Sequence, residues 1–293
     1  MREPRNLKEV SASGEQALRL ATQLLQRARL AHPHAGLWEA ADVQWWWRAA
    51  RHSDAVKKPF WLDAEGPVAG VLLTSWKGGT WQCDPVVVPG VAGPDPVAVW
   101  ELALELGTEH SSASFKVAVD DVNELYRDLA ERSGLVALEH DHTAWLSQAD
   151  RPAAAQLPAG FSLVDRTQRL DAPHPMRHRN GEHVAERLAG CSLYDPALDL
   201  ALESDDGRVA GYSLYWFDPV TKVGLVEPVR IDEEFQRRGL ARAMLSEGIE
   251  RLLAKGARRV KVSYFTDAAA ALYQGLGLRP QSTTTRYGPA SDA

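Results

Sequence analysis

VGLVEPVRIDEEFQRRGLARAMLSEGIERLL, from Val223 to Leu253, is the stretch whose reading decides the fold. Val223 to Ile231 is a β-type run, and a charged loop carries it to a turn at Gln236, Arg237, Arg238, Gly239, Leu240 and Ala241. Beyond the turn, Leu240, Met244, Leu245, Ile249, Leu252 and Leu253 recur at helical spacing, so strand and helix can pack together and leave the turn at an open edge. The first N–H groups of a helix have no partner within it, and the aligned peptide dipoles place partial positive charge there. A phosphate can accept several of these bonds at once. Gly239, without a Cβ, lets a ligand approach the backbone, and Ala241 keeps the next turn small. Arg237, Arg238 and Arg242 either add to this charge or face solvent. The spacing is neither GxxxxGK[ST] nor GxGxxG, which excludes the two common nucleotide fingerprints.

These residues resemble a known family. QRRGLA at Gln236–Ala241 is similar to the Q/RxxGxG/A signature of the GNAT superfamily, the acetyl-CoA-dependent N-acyltransferases. VEPVRI at 226–231 resembles the strand beside the pantetheine arm in that family, and ALYQGLGL at 271–278 resembles its closing helix. The resemblance implies acetyl-CoA as co-substrate, its pantetheine arm held by the backbone of Val229, Arg230 and Ile231 and its diphosphate by Gln236, Arg237, Arg238, Gly239, Leu240, Ala241 and Arg242. It implies a tyrosine, here Tyr273, as the acid that protonates the departing thiolate. Seven residues earlier, where the family often has Asn, the chain has Thr266, whose hydroxyl replaces only part of an amide's hydrogen bonding.

Acyl transfer to an amine also needs a base. Glu227 is the candidate, a carboxylate in an otherwise apolar strand whose partial burial would raise its pKa toward working pH; a structural hydrogen bond is the alternative role. The implied activity is acetyl transfer to a primary amine of a small molecule, the alternative being a non-catalytic acyl-CoA-binding protein.

Outward from this stretch, the chain repeats itself. EGPVAGVLL at 65–73 resembles DGRVAGYSL at 206–214, CDPV at 83–86 resembles VEPV at 226–229, and FKVAV at 115–119 resembles VKVSY at 260–264. The separation grows steadily, from 141 residues between Val68 and Val209 to 147 between Tyr126 and Tyr273, as expected of two copies with altered loops. Helices are expected over Gln16–Ala31, Val43–Arg51, Pro94–Leu106 and Val122–Arg132, with strands over Phe60–Asp63, Val68–Trp76, Thr80–Val88 and Phe115–Val119. In the second copy, strands are expected over Phe161–Asp165, Ala197–Leu202, Val209–Phe217, Val223–Ile231, Arg259–Phe265 and Ser282–Tyr287, and helices after Gly239 and over Ala268–Leu276. The expected architecture is α/β (α+β): two tandem GNAT-like domains, each a mixed, mostly antiparallel twisted sheet flanked by helices. Domains are read at 1–148 and 161–293, joined by a Pro- and Ala-rich linker at 149–160. The first copy lacks the QxxGxG/A signature: its corresponding segment, VAGPDPVAVW, carries Pro94 and Pro96, which have no N–H to donate. It is read as a degenerate domain without cofactor.

Trp45, Trp46 and Trp47 cannot all enter one core from a helix, so at least one is expected at a pocket, a domain contact or the surface. His174, His178 and His183 lie in a proline-rich segment whose ligand spacing disfavours a metal site; they are expected to be solvated, or else to border the acceptor. A net charge of −6 and a sequence pI of about 5.9 argue against general nucleic-acid binding. Cys83 and Cys191 suggest thiols in a reducing cytosol, and the absence of a membrane-length apolar run or a signal-type N-terminus gives an expected cytoplasmic location with no membrane partner. Oligomeric state is not legible.

Overall fold

The structure is a computed structural model describing residues 7–33 and 37–290. These form two compact units, the first drawn from Met1–Trp46, Ala50–Asp141 and Ser282–Ala293, the second from Trp47–Ala49 and His142–Gln281.

The first unit contains β1 (Lys8–Ala12), α1 (Gly14–Ala31), α2 (Ala40–Trp47), β2 (Lys58–Asp63), β3 (Gly66–Ser75), β4 (Thr80–Val87), α3 (Pro96–His110), β5 (Ser114–Asp120) and α4 (Glu124–Arg132). Strands β1 to β4 pair antiparallel in chain order, while β4 and β5 pair in parallel only from Thr80–Ser114 to Gln82–Lys116. Past that point the two strands have no mutual register. Alternation along the strands sends Ala69, Val71, Leu73, Trp81, Cys83, Val117 and Val119 into one core with Val99, Trp100 and Ala103 of α3. Helix α3 can lie this close because Gly107 has no side chain: a Cβ there would meet Cys83 Sγ at 2.7 Å.

The second unit repeats the order with β7 (Phe161–Asp165), α5 (Arg177–Asn180), α6 (Val184–Ala189), β8 (Asp199–Ser204), β9 (Val209–Asp218), β10 (Val223–Ile231), α7 (Leu240–Ala254), β11 (Arg259–Tyr264) and α8 (Asp267–Gln274). Strands β7 to β10 are antiparallel neighbours; β10 and β11 pair in parallel only from Val223–Arg259 to Leu225–Lys261. Leu245, Ile249 and Leu252 of α7 are fully buried against this sheet with Tyr215 and Val260, each burial contributing about 1.5–3 kcal/mol. Gly248 again permits the approach, since a Cβ would fall 1.9 Å from the Tyr215 ring. The Tyr215 hydroxyl donates to the Met244 carbonyl at 2.9 Å, fixing helix to strand.

Each copy ends in a further strand, β6 (Leu135–Ser147) and β12 (Arg279–Pro289). The compact units do not follow the sequence boundaries at 148 and 161, because these closing strands pair elsewhere. His142–Ser147 of β6 pair antiparallel with β11, and Thr284–Tyr287 of β12 pair antiparallel with β5. Composition marks a Pro/Ala stretch but says nothing of which strand a neighbour chooses. The segment 149–160 is itself tied down along α7: Ser246 Oγ donates to the Ala153 carbonyl at 3.1 Å and accepts from Ala155 N at 3.3 Å.

Of the tryptophans, Trp45 and Trp46 are buried, Trp46 lying edge-on to Trp38 and Trp76. Trp47 is half-buried and stacks beneath the Arg187 guanidinium at 4.0 Å.

Candidate active site

The turn before α7 has the form its sequence suggests. Gly239 is the N-cap, with φ 82° in the left-handed region and no side chain capping the helix, and its nearest neighbour to a hypothetical Cβ is Pro158 Cγ at 4.0 Å. Arg237 also has a positive φ of 64°, unusual for a residue with a side chain. Gln236 through Gly239 are exposed, while Leu240 is buried and Ala241 half-buried, so the backbone of the turn faces outward from an anchored helix. The turn's shape is maintained by Gln236, whose amide donates to the Ile231 carbonyl at 3.1 Å, and by Arg238, which donates to the Glu234 carbonyl at 3.0 Å. The Arg242 guanidinium lies over Gly275, at the end of α8. Open N–H groups, a helix N-terminus of full length and three arginines form a fitting cradle for a diphosphate.

A second feature is the gap in the sheet. From Val226 onward the edge of β10 that faces β11 has no strand register, which leaves main-chain groups of Val229–Ile231 for an extended ligand. On its other edge the register with β9 shifts between Val226 and Val229, so Glu227 and Pro228 occupy a bulge; the bond between them is cis. A bulge re-aims side chains and is common beside functional sites. Glu227 is half-buried, and its carbonyl accepts from the indole of the fully buried Trp216 at 2.9 Å.

Tyr273 of α8 is 8% exposed. Burial, and secondarily the negative charge of Glu227, push its phenol far above the usual range. Glu227 and Tyr273, separated by 46 positions, therefore share one electrostatic environment, and Tyr273 holds its proton at neutral pH. Thr266 is the N-cap of α8, its hydroxyl accepting from Ala269 N at 3.2 Å, so the family's asparagine position serves here to start a helix.

Val229 and Ile231 of β10 pack in one cluster with Leu240 and Met244 of α7. Arg230 borders a cavity of about 570 Å³ lined also by Arg166, Arg169, His174, Arg179 and Tyr212. His174 corrects the expectation of a solvated ring: it is 5% exposed. Its Nε2 donates to Asp199 at 2.9 Å, while its Nδ1 accepts from Met176 N at 3.2 Å. Tyr194 donates to the same carboxylate at 2.8 Å. His178 and His183 are exposed, as expected. This buried network was missed because its aspartate lies 25 residues away on β8, and only the apolar neighbours of Asp199 hinted that it would be buried.

Among the described residues no group of three or more His, Cys, Asp or Glu side chains could hold a metal ion, and no helix is long and apolar enough to cross a membrane.

Residues 166–278, within the second unit, match the family described as "Acetyltransferase (GNAT) family". Among similar proteins, a mycothiol acetyltransferase of Clavibacter michiganensis subsp. michiganensis is 26% identical over 209 residues, 67% of this chain, and the match spans 63% of that relative's length. A mycothiol acetyltransferase of Tsukamurella paurometabola is 29% identical over 249 residues, 76% of this chain and 83% of the relative. A tandem GNAT protein from the clavulanic acid biosynthesis pathway has the same fold, with a TM-score of 0.68 at 17% identity over 97% of this chain and 98% of its own. A GCN5-related N-acetyltransferase from Sphaerobacter thermophilus superposes with a TM-score of 0.61 at 15% identity, over 96% of this chain and 95% of its own. The first of these two neighbours agrees with the tandem architecture expected from the sequence repeat.

Proposed function

We propose that the protein is an N-acetyltransferase that moves an acetyl group from acetyl-CoA to a primary amine of a small molecule, at the second unit. The observation that carries this reading is the open left-handed turn at the start of α7, beside a gap in the sheet that is bordered by Glu227 and Tyr273. Main-chain N–H groups at 237–241, with Arg237, Arg238 and Arg242, hold the diphosphate, and the free edge of Val229–Ile231 holds the pantetheine arm. When bound, acetyl-CoA supplies the thioester carbon at which a C–N bond forms as the C–S bond breaks. Glu227 takes the proton that the ammonium must lose, directly or through water. Tyr273 gives its proton to the departing sulfur and regains one from the second proton that nitrogen sheds as the amide forms, so two protons leave nitrogen, one ending on sulfur and one passing through Glu227 to solvent.

The acceptor is read as small and polar. The cavity beside Arg230 is lined by charges of both signs, Asp165, Asp199, Glu203 and Asp232 among the arginines, which suits a polar molecule, and two relatives named mycothiol acetyltransferase support a small-molecule acceptor. A non-catalytic acyl-CoA-binding role is the competing reading. A cytoplasmic location fits both.

The test is release of free thiol from acetyl-CoA against polyamines, aminoglycosides, amino acids and a cysteinyl pseudodisaccharide. One of these should turn over with one acetyl-CoA bound per chain; cofactor binding without turnover of any amine supports the non-catalytic role. On the acceptor found, Glu227→Gln should lower kcat/KM about 10-fold or more and alter the acidic limb of its pH profile. An unaltered limb assigns Glu227 to the structure of the bulge.

A further inference from the structure

The first unit has its own cavity, of about 630 Å³, opening between the ends of β4 and β5. Its walls are mostly apolar, with Leu25, Trp38, Val86, Val88 and Val122 among them. Among the described lining residues the charges are mostly negative. Asp95 and Glu124 are exposed at its border, Asp84 and Asp120 lie deeper, and the one lining cation among the described residues, Arg29, is held bidentate by Glu39, with Nε at 3.0 Å. A diphosphate would be repelled by this negative border. The N-terminus of α3 is already filled by the Asp95 carboxylate, which accepts from Val97 N at 3.0 Å, and Pro96 has no N–H.

A polar side chain also lines this space. Tyr126 lines the cavity, is only 9% exposed, and no described residue bonds its hydroxyl. Its ring is fixed against Trp100 at 5.5 Å.

We propose that this cavity binds a small apolar amine, its hydrophobic body against Trp38, Val86 and Val88, its ammonium at Asp95 and Glu124, and Tyr126 bonded to a polar atom of the ligand. Apolar walls select the body and the negative border selects the charge. The site is separate from the transfer site of the second unit and does not depend on the reading of that site.

Three molecules with one skeleton test it: 3-phenylpropylamine, 3-phenylpropanol and 3-phenylpropionate, titrated calorimetrically into the full chain with saturating coenzyme A. The amine should bind once per chain and at least about 10-fold more tightly than the carboxylate. Val86→Trp, which fills the cavity, should abolish binding; Val122→Trp, at a position 63% exposed, does the same from the border with little risk to folding. Replacing Asp95 by Asn and Glu124 by Gln together should bring amine and carboxylate to equal affinity. No binding of the amine, no preference for its charge, or full binding to both tryptophan variants would overturn the proposal.

Discussion

Helices α3 and α7 stand at the same place in the two copies, and their first turns are chemical opposites. At α7 a left-handed glycine leaves the helix uncapped and its N–H groups exposed. At α3 an aspartate caps the helix and prolines flank it. The proposed catalytic pair has a counterpart that differs in the same way. Asp84 stands where the second copy has Glu227, each followed by a proline, and Tyr126 where it has Tyr273. Asp84, however, spends its lone pairs within its own unit, accepting from Ala118 N and the Trp38 indole at 2.8 Å each and from the Gln82 amide at 2.5 Å. One scaffold can therefore begin its helix with exposed N–H groups or with a carboxylate that fills them.

The sharpest break in that comparison comes from the two tyrosines. Tyr273→Phe should lower turnover roughly 10²-fold or more while leaving acetyl-CoA affinity largely unchanged, because the lost proton donor acts only as the sulfur departs. Tyr126→Phe should leave turnover as it is. Equal kinetics for both variants would remove Tyr273 from the mechanism.

The two acids differ in what pH does to them. Burial pushes the Asp84 carboxyl up to about 6, against an ordinary value near 3.9. The folded chain then keeps a proton that the unfolded chain releases from about pH 4 upward, so this group's contribution to stability falls as pH rises from about 4 to 6, by ~3 kcal/mol. Asp84→Asn should remove that decline, although it lowers absolute stability by setting an amide against the Trp38 and Gln82 donors. Urea midpoints followed between pH 4 and 7 check this; an equally steep decline in the variant places the titration elsewhere.

Much of this contrast was legible in sequence. The α7 turn, the repeat, and the loss of the glycine signature at Pro94–Pro96 depend on local chemistry, and local chemistry is what letters encode. The strand pair β10 and β11, helix α7 and helix α8 arose within a few residues of their expected bounds. What stayed hidden was non-local. Strand β6, LVALEHDHTAWLS, carries so many charges in its first half that no apolar alternation marks it, yet its second half buries Ala144, Trp145 and Leu146. Strand β1, KEVSA, is short and mostly exposed. Nor could composition show that β6 and β12 would each pair beyond its own copy, or that a histidine in a proline-rich loop would be buried on Asp199.

The smallest expected effect isolates charge at the helix start. Gly239→Asp puts into α7 the carboxylate that α3 has at Asp95, at a position where a side chain meets open space but must adopt a left-handed backbone. Gly239→Asn imposes the same backbone demand without charge, and both residue types tolerate that region better than most. The aspartate should weaken acetyl-CoA binding about 10-fold relative to the asparagine, a difference that shrinks with added salt because it is electrostatic. Equal weakening by both would mean that the backbone conformation, not the field of the helix, discriminates the two copies. The reverse change, Asp95→Gly, should create no coenzyme site in the first unit, since Pro94 and Pro96 still withhold the N–H groups a diphosphate needs. A second equivalent of acetyl-CoA bound to that variant would show that a single carboxylate separates an open site from a closed one.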